Sequence, residues 1–155
     1  MKPSPQHLIT PGRIYAVSVS DRKGVVKHNV DQARLVKDHG LAGDAHAEGG
    51  IRQVSLLARE SIDKMVAAGA KVKPGDFAEN LTVDGLEVMT LPVGTRLTVG
   101  ADVELEITQI GKTCHKGCAI REQVGDCVMP REGVFARVVR GGIVKQGDVI
   151  EVMNI

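Results

Sequence analysis

Glycine interrupts this chain so often that long regular helices have little room to form. Eighteen glycines are spread over 155 residues, and they separate short runs of apolar residues. Glycine has the most backbone freedom to lose on folding, so it is common in tight turns and unfavourable inside helices. The pattern therefore predicts many short strands joined by turns.

The clearest strand pair is expected at residues 96–109. Apolar and polar residues alternate on both sides of a turn at Gly100-Ala101, and this period of two is typical of a β-hairpin with one buried face. Further strands are predicted at residues 13–20, 25–27, 33–37, 52–57, 134–140 and 143–152, with Gly147-Asp148 interrupting the last one.

One strong helix is expected at about residues 59–68. Ile62, Met65 and Val66 have the spacing of one helical face, and Gly69 suits the left-handed residue that ends many helices. Strands outnumber helices and alternation of strand and helix is weak. The predicted fold class is therefore mainly β, a curved, mainly antiparallel sheet or β-barrel with one or two short helices.

The composition and the length exclude several classes of protein. We expect an extended lead-in at residues 1–11 and a single domain at residues 12–155. A net charge of +1 and an aromatic content of 2% give neither a strong field nor a stacking surface for nucleic acid. No apolar run reaches the roughly 20 residues of a membrane span, and the first residues lack the apolar core of a signal peptide. Three cysteines without such a signal predict reduced thiols in the cytoplasm.

The densest group of reactive side chains lies at residues 111–118, directly after the predicted hairpin. Cys114 has Lys112, His115 and Lys116 close in sequence. Cationic neighbours favour the thiolate, which is both the nucleophile and the soft metal ligand. A buried, inert cysteine is the plain alternative, but the polar and basic surroundings favour a reactive thiol.

Two alternative roles use the same segment. Zinc could be held by the four nitrogen and sulfur ligands Cys114, His115, Cys118 and Cys127, but a second closely spaced pair, usual in structural zinc sites, is missing. A redox disulfide between Cys114 and Cys118 lacks the thioredoxin-like spacing.

Three further residues are candidates for a binding site. His46 follows a glycine-flanked turn, Arg52 has the planar fork that suits phosphate, and Asn80 offers a donor and an acceptor to a heterocycle. Each also has a common structural role, as a capping or solvating residue. The sequence contains neither a phosphate-binding Walker loop nor the Gly-x-Ser-x-Gly turn of a serine hydrolase.

Five segments, in order, resemble the MOSC domain, which is the C-terminal domain of molybdenum cofactor sulfurase and also exists as stand-alone bacterial proteins. They are residues 43–46, 52–57, 74–81, 91–97 and 111–114. The resemblance extends from about residue 12 to residue 152 and covers nearly the whole chain. It implies a barrel-like, strand-rich fold, and it matches Cys114 to the family's characteristic cysteine.

The resemblance implies a function in which Cys114 carries sulfur as a persulfide. The protein would be a sulfur-carrier or pterin-cofactor-binding domain in the maturation of metal–sulfur centres or of the molybdenum cofactor. In one alternative, Cys114 ligates molybdenum in an oxidoreductase that reduces N-hydroxylated compounds. In another, the protein is a non-catalytic adaptor for a cofactor or a partner protein. The cofactor-binding residues are expected to be His46, Arg52, Asn80, Lys112 and His115.

The resemblance also implies partners. Sulfurases of this family carry a pyridoxal-phosphate desulfurase domain, and we expect no such domain and no pyridoxal phosphate here. A cysteine desulfurase or another sulfur donor is therefore an expected partner, together with proteins of molybdenum cofactor biosynthesis or molybdoenzymes. Because one thiolate suits both sulfur and metal, the sequence leaves open whether the protein is a sulfurtransferase-type carrier or a molybdenum-dependent reductase.

Overall fold

The computed structural model describes residues 10–20, 27–44, 47, 50–111 and 132–153. The strands in this part of the chain are β1 (Gly12–Val19), β2 (His28–Val30), β3 (Gln32–Val36), β4 (Gly40–Leu41), β5 (Val54–Ala58), β6 (Leu81–Asp84), β7 (Arg96–Val99), β8 (Val103–Ile110), β9 (Val134–Arg140), β10 (Gly142–Lys145) and β11 (Val149–Val152). One helix, α1 (Arg59–Ala67), follows β5, and a 3₁₀ turn (Val88–Thr90) precedes β7.

Seven of these strands close into a barrel. Their order is β1-β6-β5-β9-β8-β7-β11, and β11 pairs back with β1, where Gly12 lies opposite Ile150. The β5–β6 pair is parallel, and the other pairs around the barrel are antiparallel. β2 extends the sheet beyond β1, and β10, β3 and β4 form a small second sheet. The predicted mainly β, mainly antiparallel barrel is confirmed.

Alternation along the strands divides the apolar residues into two clusters. In β9, Val134, Ala136 and Val138 belong to the large cluster inside the barrel, whereas Phe135 points to the outer face. The outer cluster lies under α1 and consists of Leu57, Ile62, Met65, Ala70, Phe77 and Phe135. Burial of both faces of β5 and β9 explains why their sequences are nearly continuous apolar runs.

Most predicted elements are found within a few residues of their expected positions. The hairpin at 96–109 corresponds to β7 and β8, with Leu97 opposite Leu105. The strand expected at 143–152 is divided into two, and only its second half, β11, joins the barrel. The strand expected at 25–27 falls mostly outside the described residues, and the strand seen there begins at His28.

The helix was predicted correctly, but one residue of its buried face was wrong. Ile62 and Met65 are buried, whereas Val66 is 49% exposed. The third buried position is Ser61 instead. This side of the helix faces Glu132, which accepts a hydrogen bond from the Ser61 hydroxyl. Gly69 has a φ of +104°, as expected of a residue that ends a helix. Within the described residues, no helix combines the length and the apolar composition that crossing a membrane requires.

Candidate functional site

The residues on either side of the Cys114 segment form a fixed base on the barrel. Cys114, Lys112 and His115 lie outside the described residues, but the residues at both ends of the segment 112–131 are described. The Gly111 N–H donates to the Gly133 carbonyl oxygen at 2.6 Å. Glu132 accepts hydrogen bonds from the Ser61 hydroxyl at 2.5 Å and from the Lys64 ammonium at 2.7 Å. Hydrogen bonds therefore hold Gly111, Glu132 and Gly133 close to β8, β9 and α1.

A β-bulge lies in β8 directly before this base. Ile107 pairs with Ala136 and Gln109 pairs with Phe135, so two steps along β8 correspond to one step along β9. Thr108 is the extra residue, and its hydroxyl lies within hydrogen-bond distance of the Ile51 and Phe135 carbonyl oxygens. Because partners across a sheet share a face, the bulge places both Thr108 and Gln109 on the outer face of the barrel.

Arg52 lies on this outer face, at the base of the Cys114 segment. Its guanidinium carbon is 5.1 Å from the centre of the Phe135 ring, in a cation–π arrangement. Its Nε donates to Gln109 Oε1 at 3.1 Å, and Gln109 Nε2 donates to the Gly111 carbonyl oxygen at 2.8 Å. The side-chain amide of Gln109 therefore connects Arg52 to Gly111, the first residue of the Gly111-Lys112-Thr113-Cys114 motif.

A second polar group is buried near the start of β6. The Asp44 carboxylate accepts a hydrogen bond from the Lys27 ammonium at 2.7 Å, and both side chains are fully buried. It also accepts the Ser20 N–H at 3.0 Å. Burial alone would raise the pKa of Asp44, but the hydrogen bonds from Lys27 and Ser20, the charge of Lys27 and a hydrogen bond from Asn80 lower it below its usual value. Asp44 is therefore ionised in the folded protein at neutral pH.

Asn80 has a structural set of partners. Its Oδ1 accepts the Ser55 N–H at 3.0 Å and lies 3.2 Å from the Ser55 hydroxyl, and its Nδ2 donates to the Ser18 carbonyl oxygen at 3.2 Å. The side chain thus connects β5 to β1 and also supports Asp44. With its amide engaged in this way, Asn80 suits a role in positioning other residues, and its cofactor-binding role stays a prediction.

Glu79 is the second buried carboxylate of this region. Its Oε2 accepts the Gly75 N–H at 2.9 Å and the Thr82 hydroxyl at 2.8 Å. Its Oε1 has no hydrogen-bond partner in the described part of the chain. Burial raises the pKa of Glu79, although the bonds to Gly75 and Thr82 favour the ionised form.

The predicted motif segments are brought together in two groups. Asp44, Ser55 and Asn80, from the first three segments, share the buried network, while Arg52 reaches the last segment through Gln109. The segment at 91–97 has a structural role, since Gly94 and Thr95 pair with the backbone of Ile107 and start β7. His46 lies outside the described residues. Among the residues that are described, no three His, Cys, Asp or Glu side chains cluster as a metal site would require.

Three polar residues of this region were missed by the sequence analysis. Lys27 follows an apolar pair of valines, and nothing in that context distinguishes a buried lysine from an exposed one. Glu79 lies within the motif segment at residues 74–81, and nothing in that segment marks its carboxyl group as buried. Gln109 was expected to be the last residue of a hairpin, and its contact with Arg52 depends on a bulge that alternation does not indicate.

The architecture and these contacts place the protein in the class of small, mixed β-barrels. Its buried polar network lies at the start of β6. The chain belongs to the MOSC domain family, because the family model for the MOSC domain matches residues 43–151. That match includes both the buried network from Asp44 onward and Cys114.

Solved structures share the fold. The YuaD protein from Bacillus subtilis is 19% identical with a TM-score of 0.77, over 92% of this chain and 96% of that chain. YiiM from Geobacillus stearothermophilus is 16% identical with a TM-score of 0.67, over 93% of this chain and 76% of that one. YiiM from Escherichia coli is 19% identical with a TM-score of 0.68, over 94% and 71%. A search among curated proteins found no match.

Proposed function

We propose that this protein carries sulfur as a persulfide on Cys114, in the maturation of the molybdenum cofactor or of a metal–sulfur centre. The observation that carries the proposal is the family match across residues 43–151, a range that includes Cys114. The sequence resemblance matches Cys114 to the characteristic cysteine of the family. The hydrogen bond between Gly111 and Gly133 supports it, because it holds residues on both sides of the Cys114 segment at one point of the barrel.

The charges near this base favour the chemistry of a thiolate. The Arg52 guanidinium is connected to Gly111 through the Gln109 amide, and Lys112, His115 and Lys116 are close to Cys114 in sequence. Positive charge stabilises both a thiolate and a persulfide anion. The Cys114 thiolate would attack the terminal sulfur of a donor persulfide. The donor's S–S bond breaks, the donor cysteine leaves as a thiolate, and Cys114 keeps the transferred sulfur, so no external oxidant is needed.

Arg52 and Asn80 differ in what they can offer to a molybdenum cofactor. Arg52 is exposed and uses only its Nε among the described residues, so both terminal nitrogens can bind a phosphate of the pterin. Asn80 has its amide engaged and fits a supporting role. The bound cofactor would supply the metal that receives sulfur.

Mass spectrometry tests the carrier function directly. After incubation with a cysteine desulfurase and cysteine, we expect one added sulfur atom on the peptide that contains Cys114. The matched controls are Cys118→Ala and Cys127→Ala, which should accept sulfur as the wild type does, whereas Cys114→Ala should accept none. Sulfur that still loads on the Cys114→Ala variant would refute the proposal.

The same protein distinguishes the alternatives. A reductase that holds molybdenum through Cys114 predicts bound molybdenum and pterin fluorescence after purification from a cofactor-producing host, both lost in Cys114→Ser. An adaptor without bond chemistry predicts that Cys114→Ser keeps full affinity for its partner. Either result, together with absent persulfide formation, would replace the carrier function.

A further inference from the structure

Gln109 has an orientation that the strand pattern alone would not give it. In a regular strand, residues 107 and 109 would share a face, and Ile107 points into the barrel. The bulge at Thr108 reverses this for Gln109, which pairs with outward-facing Phe135, and it returns Ile110 to the inner side. Bulges are common beside functional sites, where they redirect a side chain.

The redirected amide uses both of its ends. Gln109 Oε1 accepts a hydrogen bond from Arg52 Nε at 3.1 Å, and Gln109 Nε2 donates to the Gly111 carbonyl oxygen at 2.8 Å. On its other side, Arg52 stacks on Phe135 at 5.1 Å. Two independent contacts therefore fix the plane of the guanidinium.

The terminal nitrogens of the Arg52 guanidinium can still bind a ligand. Arg52 is exposed, and its terminal nitrogens have no hydrogen-bond or ion-pair partner in the part of the chain that is described. By contrast, Arg96 and Arg137 on the same barrel bind Glu104 and Glu106. An arginine whose orientation is set through Nε presents two parallel donors, which is the geometry that binds an oxyanion in a bidentate way.

We propose that Gln109 is a positioning residue that orients the Arg52 guanidinium through its link to Gly111, so that Arg52 binds a phosphate group of the ligand on this outer face of the barrel. The inference rests on the proposed function for the identity of the ligand, and Gln109 acts through Arg52 without touching the ligand. A glutamine that merely completed a turn would satisfy Gly111 and leave phosphate binding unchanged.

Titration with inorganic phosphate, followed by NMR of ¹⁵N-labelled protein, tests this inference. In the wild type, we expect a distinct Arg52 Nε–H signal that shifts on addition of phosphate, compared with chloride at equal ionic strength. Gln109→Leu should lose that signal and bind phosphate about tenfold more weakly, since one hydrogen bond to a charged group is lost. Gln109→Glu keeps an acceptor for Arg52 Nε and should keep the signal. Gln146→Leu, at an exposed turn, is the matched control and should behave as the wild type.

A double-mutant cycle separates positioning from a general structural effect. Arg52→Met should abolish the phosphate response, and adding Gln109→Leu to Arg52→Met should change nothing further. An unchanged Arg52 signal and phosphate affinity in Gln109→Leu, or a wild type that does not respond to phosphate, would overturn the inference. Because the titration involves neither sulfur nor Cys114, its failure and a failure to form the persulfide are separate results.

Discussion

At the scale of single residues, Asp44 and Glu79 are both buried, yet their pKa values shift in opposite directions. Burial raises the pKa of both carboxyl groups. Asp44 contacts the ammonium of Lys27, and that contact with its other hydrogen bonds outweighs burial. Glu79 receives neutral donors from Gly75 and Thr82, and for it burial prevails. The hydrogen bonds and the charge that Asp44 receives therefore favour its ionised form, whereas burial favours the protonated form of Glu79.

Lys27→Met should destabilise the protein strongly. It removes the counter-ion of a buried carboxylate, and breaking such a pair from one side usually costs about 3 to 5 kcal/mol. We expect a loss of about 3 kcal/mol in the free energy of urea unfolding at pH 7. Lys73→Met, which removes an exposed partner of Asp76, is the matched control and should lose less than about 1 kcal/mol.

The Lys27–Asp44 pair should also make the folding stability fall at acidic pH. Since the pKa of Asp44 is lowered in the folded protein, its ionised carboxylate contributes its full stabilisation above the unfolded value of about 3.9. This contribution is lost as the pH falls through the folded pKa.

The double variant Lys27→Met/Asp44→Leu should recover much of the stability that Lys27→Met loses. Equal losses in Lys27→Met and Lys73→Met would contradict this account.

Glu79→Gln should alter the pH dependence of stability in the opposite sense. The folded pKa of Glu79 is raised, so above the unfolded value of about 4.3 the unfolded chain releases its proton first. The stability of the wild type should therefore fall as the pH rises toward the folded pKa, and Glu79→Gln should lack this fall. Urea unfolding from pH 4.5 upward measures it, with exposed Glu87→Gln as control. Parallel pH curves for the wild type and Glu79→Gln would refute the role given to Glu79.

At the scale of elements, the turn before β6 connects the buried network to the barrel. The N–H of Gly75 donates to Glu79, and its carbonyl oxygen accepts the Lys27 N–H at 3.2 Å. Gly75 has a φ of +98°, and a Cβ there would lie 2.7 Å from the Lys27 carbonyl oxygen. Both the backbone conformation and the close approach to Lys27 therefore require glycine.

Gly75→Ala should be far more destabilising than the same change at Gly94. Both glycines have a φ near +97°, at +98° and +96°, but Gly94 has open space where a Cβ would lie. Gly94→Ala should cost about 1 kcal/mol from backbone strain alone, and Gly75→Ala about 2 to 4 kcal/mol, since a clash is added. Chemical denaturation of both variants measures the difference, and equal losses would show that the approach to Lys27 is not restrictive.

At the scale of the whole molecule, one parallel strand pair shapes the barrel. β5 and β6 run in the same direction, so the chain must cross from the end of β5 back to the start of β6. Residues 59–80 make this crossover, and they cover the outer face with Met65 and Phe77 against Phe135. The crossover also brings Glu79 and Asn80 to the start of β6, where Asn80 hydrogen-bonds to Asp44. The parallel pair and the polar network therefore have a common origin in the topology.

The local elements were predictable because their signals lie within a few residues. The alternation in β7 and β8, the apolar run of β9, and Gly69 after α1 were each found where the sequence indicated. Such patterns report which face of an element is buried, and this requires no knowledge of the partner strand. The family motif likewise predicted the barrel.

The contacts of the candidate site depend on distant parts of the chain. Lys27 is buried because it meets Asp44, 17 residues away, and Arg52 meets Gln109, 57 residues away. The exposure of Val66 and the separation of β10 from β11 likewise follow from which surfaces face each other in the folded chain. The sequence by itself indicated most of the strands, the helix, the class of barrel and the family. Only the tertiary structure decided which charges are buried together and which arginine is connected to Gly111. The physical reason is that burial and pairing energies arise between residues that the closed barrel brings into contact.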